Sequence, residues 1–226
     1  MALLVSGSSR SGVGLMKKTA EKPFLVGLLG ESPNDTASLQ ALLGQRYGQQ
    51  VQFFVISPQI TGSQLDNPKL QHIIRANYRF TKPDLVVVTR DLDAPETDRT
   101  QQLKRKEFFR KINLGLEQKG IYLLNIQAIE ALIAADIRVF NNRYECVCEV
   151  PANPMTISDP VRFLKNATPP RRPQYDEGHC AELLAAVDYD TVLANCRYFA
   201  DFDEAFQQRI PPLTPPVKAA TDTDEV

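Results

Sequence analysis

Residues 84–89 (DLVVVT) constrain the fold more than any other segment. Three consecutive valines, each branched at Cβ, favour extended backbone over helix. A run apolar at nearly every position reads as a strand covered on both faces. Residues 24–29 (FLVGLL), 51–56 (VQFFVI) and 121–126 (IYLLNI) read the same way. Helical patterns separate them. Leu39, Leu42, Leu43 and Tyr47 form an apolar stripe behind a cap at Asn34 or Asp35. Leu70, Ile73 and Ile74 are spaced for a buried helix face, with Asn77 one turn on. A long charged helix is predicted over 98–119, with Leu103, Phe109, Ile112 and Leu116 as its buried stripe and Gly120 as its stop. A short apolar helix is predicted over 128–135. The order βαβαβαβα predicts an α/β fold: a Rossmann-like core with a mostly parallel four-stranded sheet, right-handed crossovers and helices on both faces.

Beyond residue 136 the pattern is weaker. Residues 137–150 read as containing a strand, 150–173 as loop with a short helix near 161–166, and 179–208 as two helices broken at 188–190. Leu183, Leu184, Val187, Phe199, Phe202 and Phe206 supply their apolar faces. The expected organisation is a flexible leader (1–22), an α/β core (23–150), a mainly helical C-terminal extension (151–210) and a proline-rich disordered tail (211–226).

Composition narrows the function classes. The chain has 226 residues, 43% of them apolar, and a formal net charge of −1. That supports a sizeable core and excludes an overall basic bias toward nucleic acid, so any such contact needs a local patch. No stretch has the apolar length of a membrane span. The N-terminus places its Ser/Gly run before its lysines, the reverse of a secretory signal, and the chain is expected to be cytoplasmic. Four cysteines do not make a disulfide scaffold at this length. Gly7 and Gly12 have P-loop spacing, but Val13 and Gly14 stand where Lys and Ser/Thr are required.

Ligands on parallel sheets bind outside the carboxyl ends of the strands, and two strand ends carry acids. Gly30-Glu31-Ser32-Pro33-Asn34-Asp35 follows the first, and Arg90-Asp91-Leu92-Asp93 the third. Parallel neighbours bring Glu31 and Asp91 to one edge, and Asp91 and Asp93 point the same way if the segment stays extended. Such carboxylates repel and call for a counter-charge. Oxygen-only ligands favour Mg²⁺ or Mn²⁺, and the chemistry implied is phosphodiester cleavage or transfer. Acids are also common where a strand simply gives way to a loop. Glu130, on an otherwise apolar helix, is either a further ligand or the partner of a buried arginine, and helix spacing separates it from Asp136.

These segments resemble the Toprim family, the catalytic domain shared by topoisomerases, primases, recombination proteins and OLD-family nucleases. The family carries a Glu after its first strand within a Glu-Gly-Pro-Ser-Asp-like run. Here the run is Glu31-Ser32-Pro33-Asn34-Asp35, with Ser32 in place of the usual Gly. The family's D-x-D matches Asp91 and Asp93. By this resemblance Glu31 is the general acid/base or a metal ligand, and the two aspartates bind Mg²⁺. The chain is also similar to small stand-alone bacterial Toprim-like proteins, several of them found beside an ATPase in phage-defence operons. The helix at 128–136 (AIEALIAAD) and the aromatic ending from Tyr175 to Phe206 carry that similarity, with Leu132 where a Trp is usual. The resemblance covers residues 24–206. It implies a metal-dependent nuclease acting on DNA or RNA, an effector subunit with an ATPase partner, and leaves self-association open. The alternative is a non-catalytic assembly or regulatory subunit of the same kind of complex. Primase or topoisomerase chemistry ranks lowest, since no added template-handling domain is evident.

Other candidates weigh less. Lys104, Arg105, Lys106, Arg110 and Lys111 can contact phosphates, but charge runs on helices are usually solvated faces. Arg171 and Arg172 form a second small basic cluster. Arg90 is better placed, either to meet a scissile phosphate or to balance the acids. Cys146 and Cys148, with His179, Cys180 and Cys196, invite a zinc reading, but the C-x-C pair is tighter than the usual spacing and free core cysteines are common. His72 reads as structural.

Overall fold

The computed structural model describes residues 22–58, 64–65, 67–170 and 173–212. The expected leader and tail lie almost wholly outside the described residues, and Arg171 and Arg172 lie outside them too. In chain order the elements are β1 (Phe24–Leu29), α1 (Pro33–Tyr47), β2 (Val51–Val55), α2 (Pro68–Thr81), β3 (Leu85–Asp91), α3 (Arg99–Gly115), β4 (Gly120–Asn125), α4 (Ala131–Ala135), α5 (Ile137–Tyr144), α6 (Pro160–Ala167), α7 (Cys180–Ala186), α8 (Tyr189–Asn195) and α9 (Arg197–Gln207).

The four strands form one parallel sheet in the order β2-β1-β3-β4. The fold is α/β, as the alternation predicts. Chain direction across the sheet reverses between β1 and β3, so their carboxyl ends flank the topological switch point, where such sheets bind ligands. Strand parity builds two cores. Val26, Leu28, Leu85 and Val87 face one side, where they meet Leu39, Leu42 and Leu43 of α1 and helices α4 to α9. Leu29, Val86 and Val88 face the other, against Ile74 and Tyr78 of α2 and Phe108 and Ile112 of α3. The C-terminal helices are therefore part of one layer of the sandwich. Asp203 of α9 ties that layer together, accepting from the hydroxyls of Tyr47 and Tyr189, each at 2.5 Å.

Several local expectations are corrected. Residues 137–144 are helix α5, because Phe140 and Tyr144, one turn apart, are both buried. Three helices, not two, span 180–207: Asp188 caps α8, and the chain breaks again at Cys196. The long helix α3 ends at Gly115, and Glu117 and Gln118 turn left-handed. Gly120 opens β4 instead of stopping the helix. Its N–H donates to Asn113 Oδ1 at 2.7 Å, and a Cβ there would sit 2.5 Å from that oxygen. Ile73 and Leu103, expected in buried stripes, face solvent, as does His72. Among the described residues no helix is long and apolar enough to cross a membrane.

Candidate active site

The register pairs Leu29 with Val88 across β1 and β3. Two residues further along, the period of the strand sends Glu31 and Arg90 to the α2–α3 face and Asp91 to the α1 face. Glu31 Oε1 meets Arg90 Nε at 2.5 Å. The Arg90 side chain is only 4% exposed, and its guanidinium lies 4.3 Å from the centre of the Phe108 ring. Of the two roles expected of Arg90, the structure shows the balancing of an acid: it is the internal counter-charge of Glu31. Burial raises the Glu31 pKa, while Arg90 and Arg105 pull it down.

Asp91 ends β3 on the other face. Its Oδ1 accepts from Asn125 Nδ2 at 3.0 Å, and the same amide reaches Thr89 Oγ1 at 3.2 Å. Burial raises its pKa well above the ordinary aspartate value. Asp35, Glu130 and Glu31 add to the rise, and the Asn125 hydrogen bond opposes it. The extended run stops here. Asp93 has a φ of 54°, which breaks the alternation that would aim it with Asp91, and its Oδ2 pairs with Arg105 Nη2 at 2.5 Å. Both aspartates still border the same cavity.

The third acid at this edge is Asp35, one turn into α1. Ser32 caps the helix: its Oγ accepts from the Asp35 N–H at 3.1 Å, and Asp35 Oδ2 accepts from the Ser32 N–H at 2.9 Å. Gly30 lets this turn approach the sheet. A Cβ there would lie 3.0 Å from Thr36 Cγ2, 3.2 Å from Thr89 Cγ2 and 3.3 Å from Asp35 Cβ. Sequence reasoning names Asp35 as a cap and as part of the run after the first strand, without giving it a ligand role. Its position one helical turn beyond β1 is the pattern that places it at the site.

Glu130 stands just before α4 and is 4% exposed. Burial pushes its pKa up to about 7, and the charges of Asp35 and Glu177 push the same way, against the nearby Tyr175 hydroxyl. Asp136 takes no part. It is buried and accepts from Arg138 Nε at 2.6 Å and the Asp188 N–H at 2.8 Å.

These groups open on a cavity of about 540 Å³. Asp35, Asp91, Asp93, Glu130, Asp159 and Glu177 line it, with no Lys, Arg or His among the lining residues. Glu31 is not among them. Asp159 and Glu177 have no counterpart in the sequence reading; the one caps α6 and the other pairs with Lys165 Nζ at 3.1 Å. Among the described residues, no group of three or more His, Cys, Asp or Glu side chains is arranged to hold a metal ion. That covers the cysteines, all four of which are free. His179 Nδ1 is engaged by the Tyr144 hydroxyl at 2.8 Å.

The donor set nevertheless suits a hard cation. Mg²⁺ is commonly held by one or two carboxylates with waters and substrate phosphates, not by an all-protein cage. Asp91 is a half-buried carboxylate on a cavity whose lining has no cationic side chain, and Glu130 lines the same cavity. No protein-family model, curated protein or solved structure matches the chain.

Proposed function

We propose that this chain is a divalent-cation-dependent phosphodiesterase acting on nucleic acid, of the Toprim kind that its strand-end motifs resemble. One observation carries the reading: Asp91 sits at the switch point of a parallel sheet, on a cavity lined by carboxylates and by no cationic side chain. Asp91 would hold Mg²⁺ or Mn²⁺ together with Asp35 and waters, leaving Glu130 outside the ligand set. A cation bound there supplies Lewis-acid stabilisation of charge on phosphate oxygens.

The chain's own residues then divide the work. With a pKa of about 7, Glu130 is near half-protonated at neutral pH, the state suited to taking a proton from water or returning one to a leaving oxygen. That proton role, given to Glu31 by the resemblance, passes to Glu130. Asn125 orients the Asp91 carboxylate, and the Ser32 cap fixes Asp35. Arg105 holds Asp93 at the rim, and release of that pair would add a ligand when a phosphate arrives.

The test is cleavage of labelled DNA and RNA with Mg²⁺ or Mn²⁺ against chelator. Asp91→Asn is expected to remove cleavage, and Glu130→Gln to lower it by about 100-fold or more. Full activity in Asp91→Asn sinks the assignment. A second reading, a non-catalytic subunit of an ATPase-containing defence complex, draws on the ion pairs that engage Glu31 and Asp93. It predicts that Asp91→Asn leaves partner retention intact and that the wild type cleaves nothing, alone or in the complex.

A further inference from the structure

Helices α2 and α3 cover one face of the sheet and pack against each other. Their charge is at odds with the rest of the chain. Residues 68–82 and 99–115 carry ten of the 26 Lys and Arg (Lys69, Arg75, Arg79 and Lys82 on the first, six on the second) and one of the 27 Asp and Glu, Glu107. The remainder is left with 16 bases against 26 acids. A nearly neutral chain is thus divided into a basic face and an acidic body.

All ten cations except Arg105 are exposed. Only Arg105, Arg110 and Lys111 of them are ion-paired among the described residues, the last two to Glu107. Between the helices runs a groove of about 160 Å³ whose ionisable lining is His72, Arg75 and Lys111, with no carboxylate. Apolar side chains stand out of the same helices: Phe80 is 89% exposed and Leu103 67% exposed, with Ile73 and Leu114 also exposed. Ile73 and Phe80 are seven residues apart and so share a helix face. Of the exposed large apolar side chains among the described residues, only Val147 lies outside these two helices.

We infer that the outer face of α2 and α3 binds a nucleic-acid strand, with the phosphates on its Lys and Arg and a base against Phe80. The occupant follows from charge complementarity. A polyanion with apolar base faces matches unpaired cations interleaved with an exposed aromatic, the pairing that single-strand binders use. The face adjoins the carboxylate edge through α3, whose Arg105 reaches Asp93. The inference rests on the phosphodiesterase reading only in taking the bound strand as the one cut. Binding itself requires no cation at the carboxylates.

The test is therefore made in chelator, on the full chain, by fluorescence anisotropy of labelled oligothymidylate and oligouridylate across a salt series. Wild type binds, and affinity falls steeply with salt. Arg75→Glu/Lys111→Glu weakens binding at least about tenfold and makes the log–log salt slope shallower by about 1.4, two single-strand phosphate contacts. Phe80→Ala weakens it about fivefold or more, a stacking loss that added charge does not restore. Reversal of two cations on the other layer, Arg197→Glu/Arg209→Glu, leaves affinity within about twofold. The inference is overturned if wild type fails to bind at low salt, or if Arg75→Glu/Lys111→Glu binds as wild type. It is overturned equally if polyglutamate competes as well as unlabelled oligonucleotide, which would make the face a dock for an acidic protein. Binding without cleavage under any cation removes the phosphodiesterase reading and leaves this surface standing.

Discussion

Folded Glu130 keeps its proton up to about pH 7, whereas an unfolded glutamate keeps it only to about 4.5. Between those values the native state binds more protons than the unfolded chain, so stability falls as pH rises through the window. The stabilisation is fully present below the lower value and lost above the upper one, approaching about 3 kcal/mol. Asp91, also raised by burial, acts in the same direction. Urea unfolding is expected to show Glu130→Gln with a flatter pH dependence between about pH 5 and 8 and greater stability at the alkaline end; an unchanged dependence would place the effect elsewhere. Glu31, raised by burial as well, matters chiefly as the acid partner of the buried Arg90. Glu31→Ala removes the acid that the buried Arg90 guanidinium meets and should cost about 3–5 kcal/mol. The double change Glu31→Leu/Arg90→Met should recover most of that in the same unfolding measurement, and failure to recover would show that the pair does more than neutralise itself.

At the scale of elements, caps and turns carry chemistry as well as structure. Ser32 starts α1 and, through its backbone N–H, fixes the Asp35 carboxylate. Ser32→Ala, which keeps that N–H, should cost about 1 kcal/mol of stability, whereas Asp35→Ala should also weaken cation binding, read by calorimetry. A stability loss with unchanged cation affinity would remove Asp35 from the site. The end of β3 shows the limit of period-two reasoning. It holds for Arg90 and Asp91 and fails at Asp93, a left-handed residue two positions past the end of the strand. The same phase question decides α2 and α3. Apolar spacing alone accommodates Ile73 and Leu103 as core, but the sheet takes Ile74, Tyr78, Phe108 and Ile112. The alternatives differ by about a third of a turn, and only the sheet's position selects one.

At the scale of the whole molecule, the C-terminal helices share a core with α1 and one face of the sheet, so removing them uncovers Leu39, Leu42 and Leu43. A chain ending at residue 150 is expected to show no cooperative unfolding transition; a cooperative one would mean that the first half folds alone. Asp203→Leu tests the same coupling by one side chain. It leaves the Tyr47 and Tyr189 hydroxyls buried without their acceptor and should cost about 2–5 kcal/mol. The α/β class, the four strands and their parallel arrangement were legible from sequence, because β-branched runs and their intervening stripes are local patterns. That the carboxyl ends of β1 and β3 lie side by side was legible for the same reason, since topology places strand ends together. Which carboxylates share the cavity was not. Glu31 and Asp91 differ by one residue in strand phase, and that single step puts them on opposite faces of the sheet. The gathering of Asp35, Asp91 and Glu130, and the joining of two basic helices into one surface, depend on contacts between elements far apart in sequence, which only the tertiary structure decides.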